Sequence, residues 1–276
     1  MKLNESTFLR FAPGTTAVVR GPRSVQFGAD ATRSGVVDAP SAAALVKLLQ
    51  ELKSPTRLDT VLARAESVCG FTPEETMSLV NDLVAYRVLV AHTPRGALII
   101  GRSAVSTALL QLLASARIHV RTLLPGESID RFLSTTDPTA PMAVVDNPLS
   151  AMHLAHLTRH RPGPVISVTL VDARVFIGPL GPCLYCAHLY HVDRDANWLH
   201  VARMLREASP TPDPLVVSAG AAAVARIMRR LCGAPDPPGV SAPAPPRGTQ
   251  IVVDPFAPEP ISQHQLGPHP SCPVCF

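Results

Sequence analysis

The 276-residue sequence has no run of about twenty apolar residues, so no helix is expected to span a bilayer. Its first residues, Met1-Lys2-Leu3-Asn4-Glu5-Ser6, lack the apolar core and small-residue cleavage site of a secretion signal, and the expectation is a cytoplasmic protein. The net charge is only +4, with no concentrated basic stripe, which argues against nucleic acid as a partner. No internal repeat is visible. Hydrophobic content of 46% with 17% charged residues fits a globular chain with room for one large domain or two modest ones. Proline is in excess: the 29 prolines gather late in the chain, where irregular connections are expected.

The first ninety residues read as one small unit. Thr16 to Arg20 and Ser24 to Gly28 are β-rich runs joined by Gly21-Pro22-Arg23, a hairpin pattern, and Gly35 to Asp38 offers a third strand. Ser41 caps a helix from Ala42 to Leu52, and Leu58, Val61, Leu62 and Ala65 mark a second helix stopped near Gly70. Thr72, Pro73 and Glu75 form a capping box that opens a third helix, with Met77, Val80, Leu83 and Val84 on its apolar face. Val88-Leu89-Val90 returns as a strand. This order describes a winged-helix-like α+β domain over 1–93. Its third helix carries Glu74, Glu75 and Asp82 against Arg87, a face that repels phosphates.

Beyond Thr93-Pro94-Arg95-Gly96 the pattern alternates strands and helices, as in a parallel sheet covered on both faces, over 94–276. Ala97 to Ile100, Ile118 to Leu123, Pro141 to Asp146 and Pro164 to Val168 are the strands, with Ala173 to Gly178 as a hairpin partner and Ile251 to Asp254 as the last candidate. Ser103 to Ser115 and Val216 to Leu231 are helices, the latter with small residues (Ala219, Ala222, Ala223) for close packing. A polar helical stretch runs past Cys186 through Trp198 to Leu205, and Ala234 to Gly248 reads as a Pro-rich loop.

Two C-x-x-C pairs, Cys183/Cys186 and Cys272/Cys275, are the strongest chemical signal. Two residues between thiolates let both sulfurs face one ion, and two such turns make a closed tetrahedral site of the structural zinc type. The 85 residues between the pairs exceed a single zinc ribbon, so the ion would tie the chain's last residues to its middle. Buried free thiols and a redox dithiol are the weaker alternatives, and no open position is left for catalysis. Cys69 and Cys232 sit in apolar helical contexts and read as core. His269 is a weaker candidate ligand, and His156 and His160 lack the glutamate of an H-E-x-x-H site.

Gly101-Arg102-Ser103-Ala104-Val105-Ser106 lies where a nucleotide fold puts G-x-G-x-x-G, but only the first glycine is there. The second strand ends in Arg121-Thr122-Leu123-Leu124, without an acid for a ribose. Gly101, Ser103 and Asp146 therefore read as a vestigial nucleotide site, and ATP is not expected.

Asp146-Asn147 at a strand end, Gly181-Pro182-Cys183-Leu184-Tyr185-Cys186 and Cys272-Pro273-Val274-Cys275 together resemble the ThiF/MoeB-like, ubiquitin-activating superfamily. The run His191-Val192-Asp193-Arg194-Asp195-Ala196-Asn197-Trp198 and the terminal His269-Pro270-Ser271-Cys272 are most similar to the cyclodehydratase partner proteins of azoline peptide (TOMM) biosynthesis, a class of ribosomally made, modified (RiPP) peptides. The resemblance implies a degenerate Rossmann-like ThiF/MoeB-type domain after a winged helix that binds a precursor leader peptide as an added strand. It implies Val36, Val37, Leu83 and Arg87 as peptide-binding residues and a YcaO-type ATP-dependent partner as the catalyst, this chain being a non-catalytic subunit; homodimerisation is left open. Two other functions stay open from the sequence: an ATP-dependent adenylyltransferase acting on the C-terminus of a ubiquitin-like sulfur carrier, and a winged-helix metal-responsive regulator.

Overall fold

The computed structural model describes residues 3–91, 96–240 and 243–276; the boundary read at Thr93-Pro94-Arg95 lies outside the described residues. The chain divides into two compact units, Met1–Thr93 with Pro235–Pro243, and Pro94–Ala234 with Ala244–Phe276. The Pro-rich loop is thus split, and its first part packs with the N-terminal unit.

In the first unit, β1 (Phe8–Phe11) is followed by the hairpin β2 (Ala17–Gly21) and β3 (Ser24–Phe27), a short turn of helix α1 (Ala31–Ser34) and β4 (Val36–Asp38). Then come α2 (Ala42–Gln50), β5 (Thr56–Arg57), α3 (Leu58–Cys69), α4 (Pro73–Ala85) and β6 (Leu89–Ala91). Two three-stranded sheets form, in the orders β5-β1-β6 and β2-β3-β4. Local chemistry sets the helix ends. Ser41 accepts from the Ala44 amide, Gly70 closes α3 in the left-handed region, and Thr72 and Glu75 make both bonds of the capping box. Strand β1 is an addition to the sequence reading. Its alternation is weak, yet it pairs on both sides and buries Leu9 and Phe11 in the core with Leu45, Leu49 and Leu83.

The second unit runs β7 (Gly96–Ile100), α5 (Ala104–Ser115), β8 (His119–Thr122), α6 (Ile129–Ser134), β9 (Met142–Val145), α7 (Ala151–Thr158), β10 (Val165–Val171) and β11 (Arg174–Ile177). It continues with α8 (Leu184–Arg194), α9 (Trp198–Ala208), α10 (Pro214–Leu231), β12 (Thr249–Val253) and β13 (Ile261–Gln265). Its seven-stranded sheet has the order β13-β12-β11-β10-β9-β7-β8. Only β8, β7, β9 and β10 are parallel; β10, β11, β12 and β13 pair antiparallel. The hairpin partner read at Ala173 to Gly178 is β11, which a tight turn at Asp172-Ala173 pairs antiparallel with β10; the antiparallel pairing then continues through β12 and β13 beyond the parallel sheet that was expected. Ile251 to Asp254 is not the last strand. β13 reads Ile-Ser-Gln-His-Gln and lies exposed on the sheet edge, so it has no apolar alternation to betray it.

Period-2 alternation sends the two faces of the sheet to two cores. Ala97, Ile99, Ala143 and Val145 face α5 and α10, whereas Leu98, Ile100, Met142 and Val144 face α6, α7 and α8. Helix α10 approaches the sheet through Gly220, where a Cβ would stand 2.4 Å from Val175 Cγ2. The residues that pack are Val216, Gly220, Ala221 and Val224; Ala222, expected on this face, is exposed. Gly220→Val should lower unfolding stability by about 1–3 kcal/mol through overpacking. The exposed Ala222→Val should change it little. Urea unfolding of both variants checks this, and equal stabilities would contradict the close approach.

Candidate functional site

Cys183 stands at the N-cap of α8 and Cys186 one turn inside it, with Pro182 buried before them. The chain's last residues bring Cys272 and Cys275 against this turn. The Cys183 sulfur lies 3.6 Å from Cys186 and 3.5 Å from Cys272, the Cys186 sulfur lies 3.5 Å from Cys275, and all four fall within 4.8 Å of one another. Such a group can hold a metal ion. The pKa of Cys183 is raised by its neighbour Cys186 and then by burial, and that of Cys275 by burial.

A second layer of contacts holds the C-terminal segment on α8. The His269 amide donates to Cys186 Sγ at 3.3 Å. The Ser271 amide donates to His269 Nδ1 at 3.1 Å, so Nε2 carries the proton and donates to Asp193 Oδ2 at 2.9 Å. The Tyr190 hydroxyl donates to the Gly267 carbonyl at 3.1 Å. His269 is therefore a clamp with both ring nitrogens engaged. Asp193 and Tyr190 went unread in the sequence because their partners lie more than seventy residues away. In the same motif, His191 stacks on Trp198 at 4.7 Å and meets Phe176 edge-on at 5.1 Å, while Arg194 covers Phe176 at 4.8 Å. Asp195 and Asn197 break the expected single helical stretch into α8 and α9.

At the C-terminal ends of the parallel strands opens a cleft of about 1370 Å³, lined among others by Gly101, Ser103, Asp146, Thr169, Trp198 and Phe256. The chain reverses direction across the sheet at β7, with β8 on one side and β9 on the other, the position at which open α/β sheets bind ligands. Three features there are already used internally. Gly101, at φ +131°, would place a Cβ 2.1 Å from the Val145 carbonyl oxygen, so close strand packing alone requires glycine. Ser103 and Ser106 cap each other's amides at the start of α5. Glu127 supplies an acid beside β8, but its carboxylate is held by Arg121 at 2.8 Å and by the Leu124 amide at 3.0 Å. Asp146 sits at φ +49° and accepts from the Leu170 amide at 2.6 Å through Oδ1; its Oδ2 is buried with no partner among the described residues. Burial raises its pKa above the usual carboxylate range, outweighing the amide bond.

The four peptide-binding candidates differ in exposure. Val36 is 40% exposed on β4, and Val37 is half-buried against the core. Leu83 is 3% exposed and packs inside the core on the apolar face of α4. Arg87 follows α4 at φ +60° and donates to the Val240 carbonyl at 2.7 Å.

No protein-family profile matches the sequence, and no curated protein matches it. Solved structures do match in fold. The heterocyclase TruD superposes with a TM-score of 0.53 at 17% identity, over 98% of this chain and 43% of TruD. A heterocyclase solved in complex with substrate and cofactor gives 0.55 at 17% identity, over 98% of this chain and 39% of that one. MccB of E. coli gives 0.45 at 12% identity, over 97% of each chain. This chain thus spans about two-fifths of the heterocyclases whose fold it shares.

His191 yields a pH prediction. Burial first, then Arg194 and His188, depress it to about 4, so the folded chain holds a neutral imidazole. The unfolded chain takes up a proton below about 6.5, and stability should therefore fall as pH drops from about 6.5 to 4, by up to about 3 kcal/mol. In His191→Phe, which keeps the ring stack, that part of the slope should vanish. Denaturant unfolding across this range measures it; identical slopes would contradict the assignment.

Proposed function

We propose that this chain is a peptide-capturing scaffold that presents a ribosomal precursor peptide to a YcaO-type ATP-dependent cyclodehydratase for azoline formation. The observation that carries the reading is the likeness in fold to two heterocyclases across 98% of the chain. In this reading the first unit is a winged-helix-like recognition domain for the leader. The second is a degenerate Rossmann-like, ThiF/MoeB-type domain whose cleft no longer serves ATP, since Ser103, Ser106 and Glu127 are engaged within the chain and Gly101 is required by packing. The same engagement weighs against an adenylyltransferase.

Strand β4 supplies the means of capture. The Phe27 amide donates to the Gly35 carbonyl, and the Ala39 amide to the Arg23 carbonyl. Strand alternation then turns the amides and carbonyls of Val36 and Asp38 away from β3, toward the open edge of the β2-β3-β4 sheet. An extended leader can add there as a fourth strand. A labelled leader from a precursor encoded beside the gene should bind at tens of micromolar or tighter. Val36→Pro removes one outward donor and spares the ladder to β3, so it should weaken binding about tenfold. Fluorescence anisotropy reads both; no binding by the wild type, or equal affinity in Val36→Pro, overturns the reading.

The four cysteines fit a structural zinc ion. A tetrahedron with zinc–sulfur bonds of about 2.3 Å has edges of about 3.8 Å, close to the sulfur spacings here. The cation would supply the charge that lets the crowded thiols ionise, and its binding energy would be folding energy. Elemental analysis should find about one zinc per chain, and Cys183→Ser should lose metal and melting temperature together. A metal-free chain as stable as the loaded one would contradict this.

A further inference from the structure

Between α10 and β12 the segment Pro235–Pro243 packs with the first unit. Its seating is specific. Pro238 is buried, and Gly239, at φ +67°, lies so near α1 that a Cβ would stand 2.7 Å from the Cα, Cβ and carbonyl oxygen of Arg33. The next residue, Val240, offers its carbonyl to the Arg87 guanidinium at 2.7 Å. Arg33 lies three residues ahead of β4, and Arg87 closes α4 in the left-handed region, a conformation that costs a residue with a Cβ about 1 kcal/mol. One short stretch therefore rests on the entry to β4 and on the exit from α4.

The stretch is suited to a replaceable contact. Pro235-Asp236-Pro237-Pro238-Gly239-Val240 has three prolines without amide donors, so it cannot pair as a full strand. Of its six residues only Pro238 is buried. What it gives Arg87 is a main-chain carbonyl, a group that any extended peptide also carries.

We propose that the 235–240 segment is an internal competitor of the captured peptide, occupying Arg87 and the flank of β4 until a leader displaces it. The inference rests on the peptide-capture reading. Its consequence is arithmetic: the observed affinity is the intrinsic one multiplied by the fraction of chains with the segment undocked. The leader must then be an extended peptide whose carbonyls reach Arg87 from the β4 edge, and displacement makes capture a switch that changes the connection leading into β12.

Gly239→Val tests this in the full-length chain, because the added side chain meets the Arg33 backbone while the β4 edge and Arg87 keep their residues. A segment docked nine-tenths of the time predicts about tenfold tighter leader binding in the variant. Replacing 237–240 by Gly-Ser-Gly-Ser unseats the segment without bulk and should give the same gain, which covers the case in which Gly239→Val misfolds. Anisotropy titrations of the labelled leader are compared with the wild type, circular dichroism confirming the fold. Unchanged or weaker binding in a folded variant overturns the competitor and leaves the capture reading standing. Absence of binding in the wild type and both variants overturns the capture reading, and the competitor with it.

Discussion

Closure of the C-terminus onto α8 is the constraint on which the second unit depends. Four sulfurs within 4.8 Å are an unfavourable cluster of protonated thiols or an excellent cage for a cation, depending on what charge they face. Around them the His269–Asp193 and Tyr190–Gly267 hydrogen bonds hold the same segment without a metal. The cluster is also part of a core: Cys186, Cys272 and Val274 pack with Leu184, Leu154 and the β7 and β9 residues that face them. Helix α8, fixed in this way, presents His191 to Trp198, and the stack sets the start of α9 as one wall of the cleft.

In the proposed reading, that cleft is a part of the fold that has outlasted its ligand. Its position at the strand ends follows from the sheet order, which packing preserves. Ser103 and Ser106 bond each other at its floor, and Glu127 bonds Arg121. Gly101 stays glycine because the Val145 carbonyl leaves no space for a Cβ. The proposed division of labour follows from this. The second unit keeps an architecture, and the first unit, with an open strand edge and an exchangeable contact at Arg87, does the binding.

Much of the arrangement was legible in the chain because its signals are local. The capping box at Thr72, the stop at Gly70, the β-rich hairpin and the cysteine spacing each need only a few neighbours to be read. What escaped reading depends on distant partners. Strand β13 is polar because it is an edge, so it looks like loop. The pairing of β11 with β12 joins residues more than seventy positions apart, so no local pattern announces it. Leu83 lies in the core, as its place on the apolar face of α4 indicates, whereas the resemblance that implied a peptide contact carries no information on burial. Asp193 and Glu127 look like ordinary surface acids until the fold brings His269 and Arg121 to them.

The central claim is that the β4 edge binds peptide while the cleft at the strand ends does not serve a nucleotide. Residue-resolved amide hydrogen exchange, with the leader peptide and separately with ATP and magnesium, tests both halves at once. The account predicts that the leader slows exchange at the Val36 and Asp38 amides, and that ATP changes nothing from Gly101 to Ser106. Protection of the Gly101–Ser106 turn by ATP, or a bound leader that leaves Val36 and Asp38 exchanging freely, would contradict it.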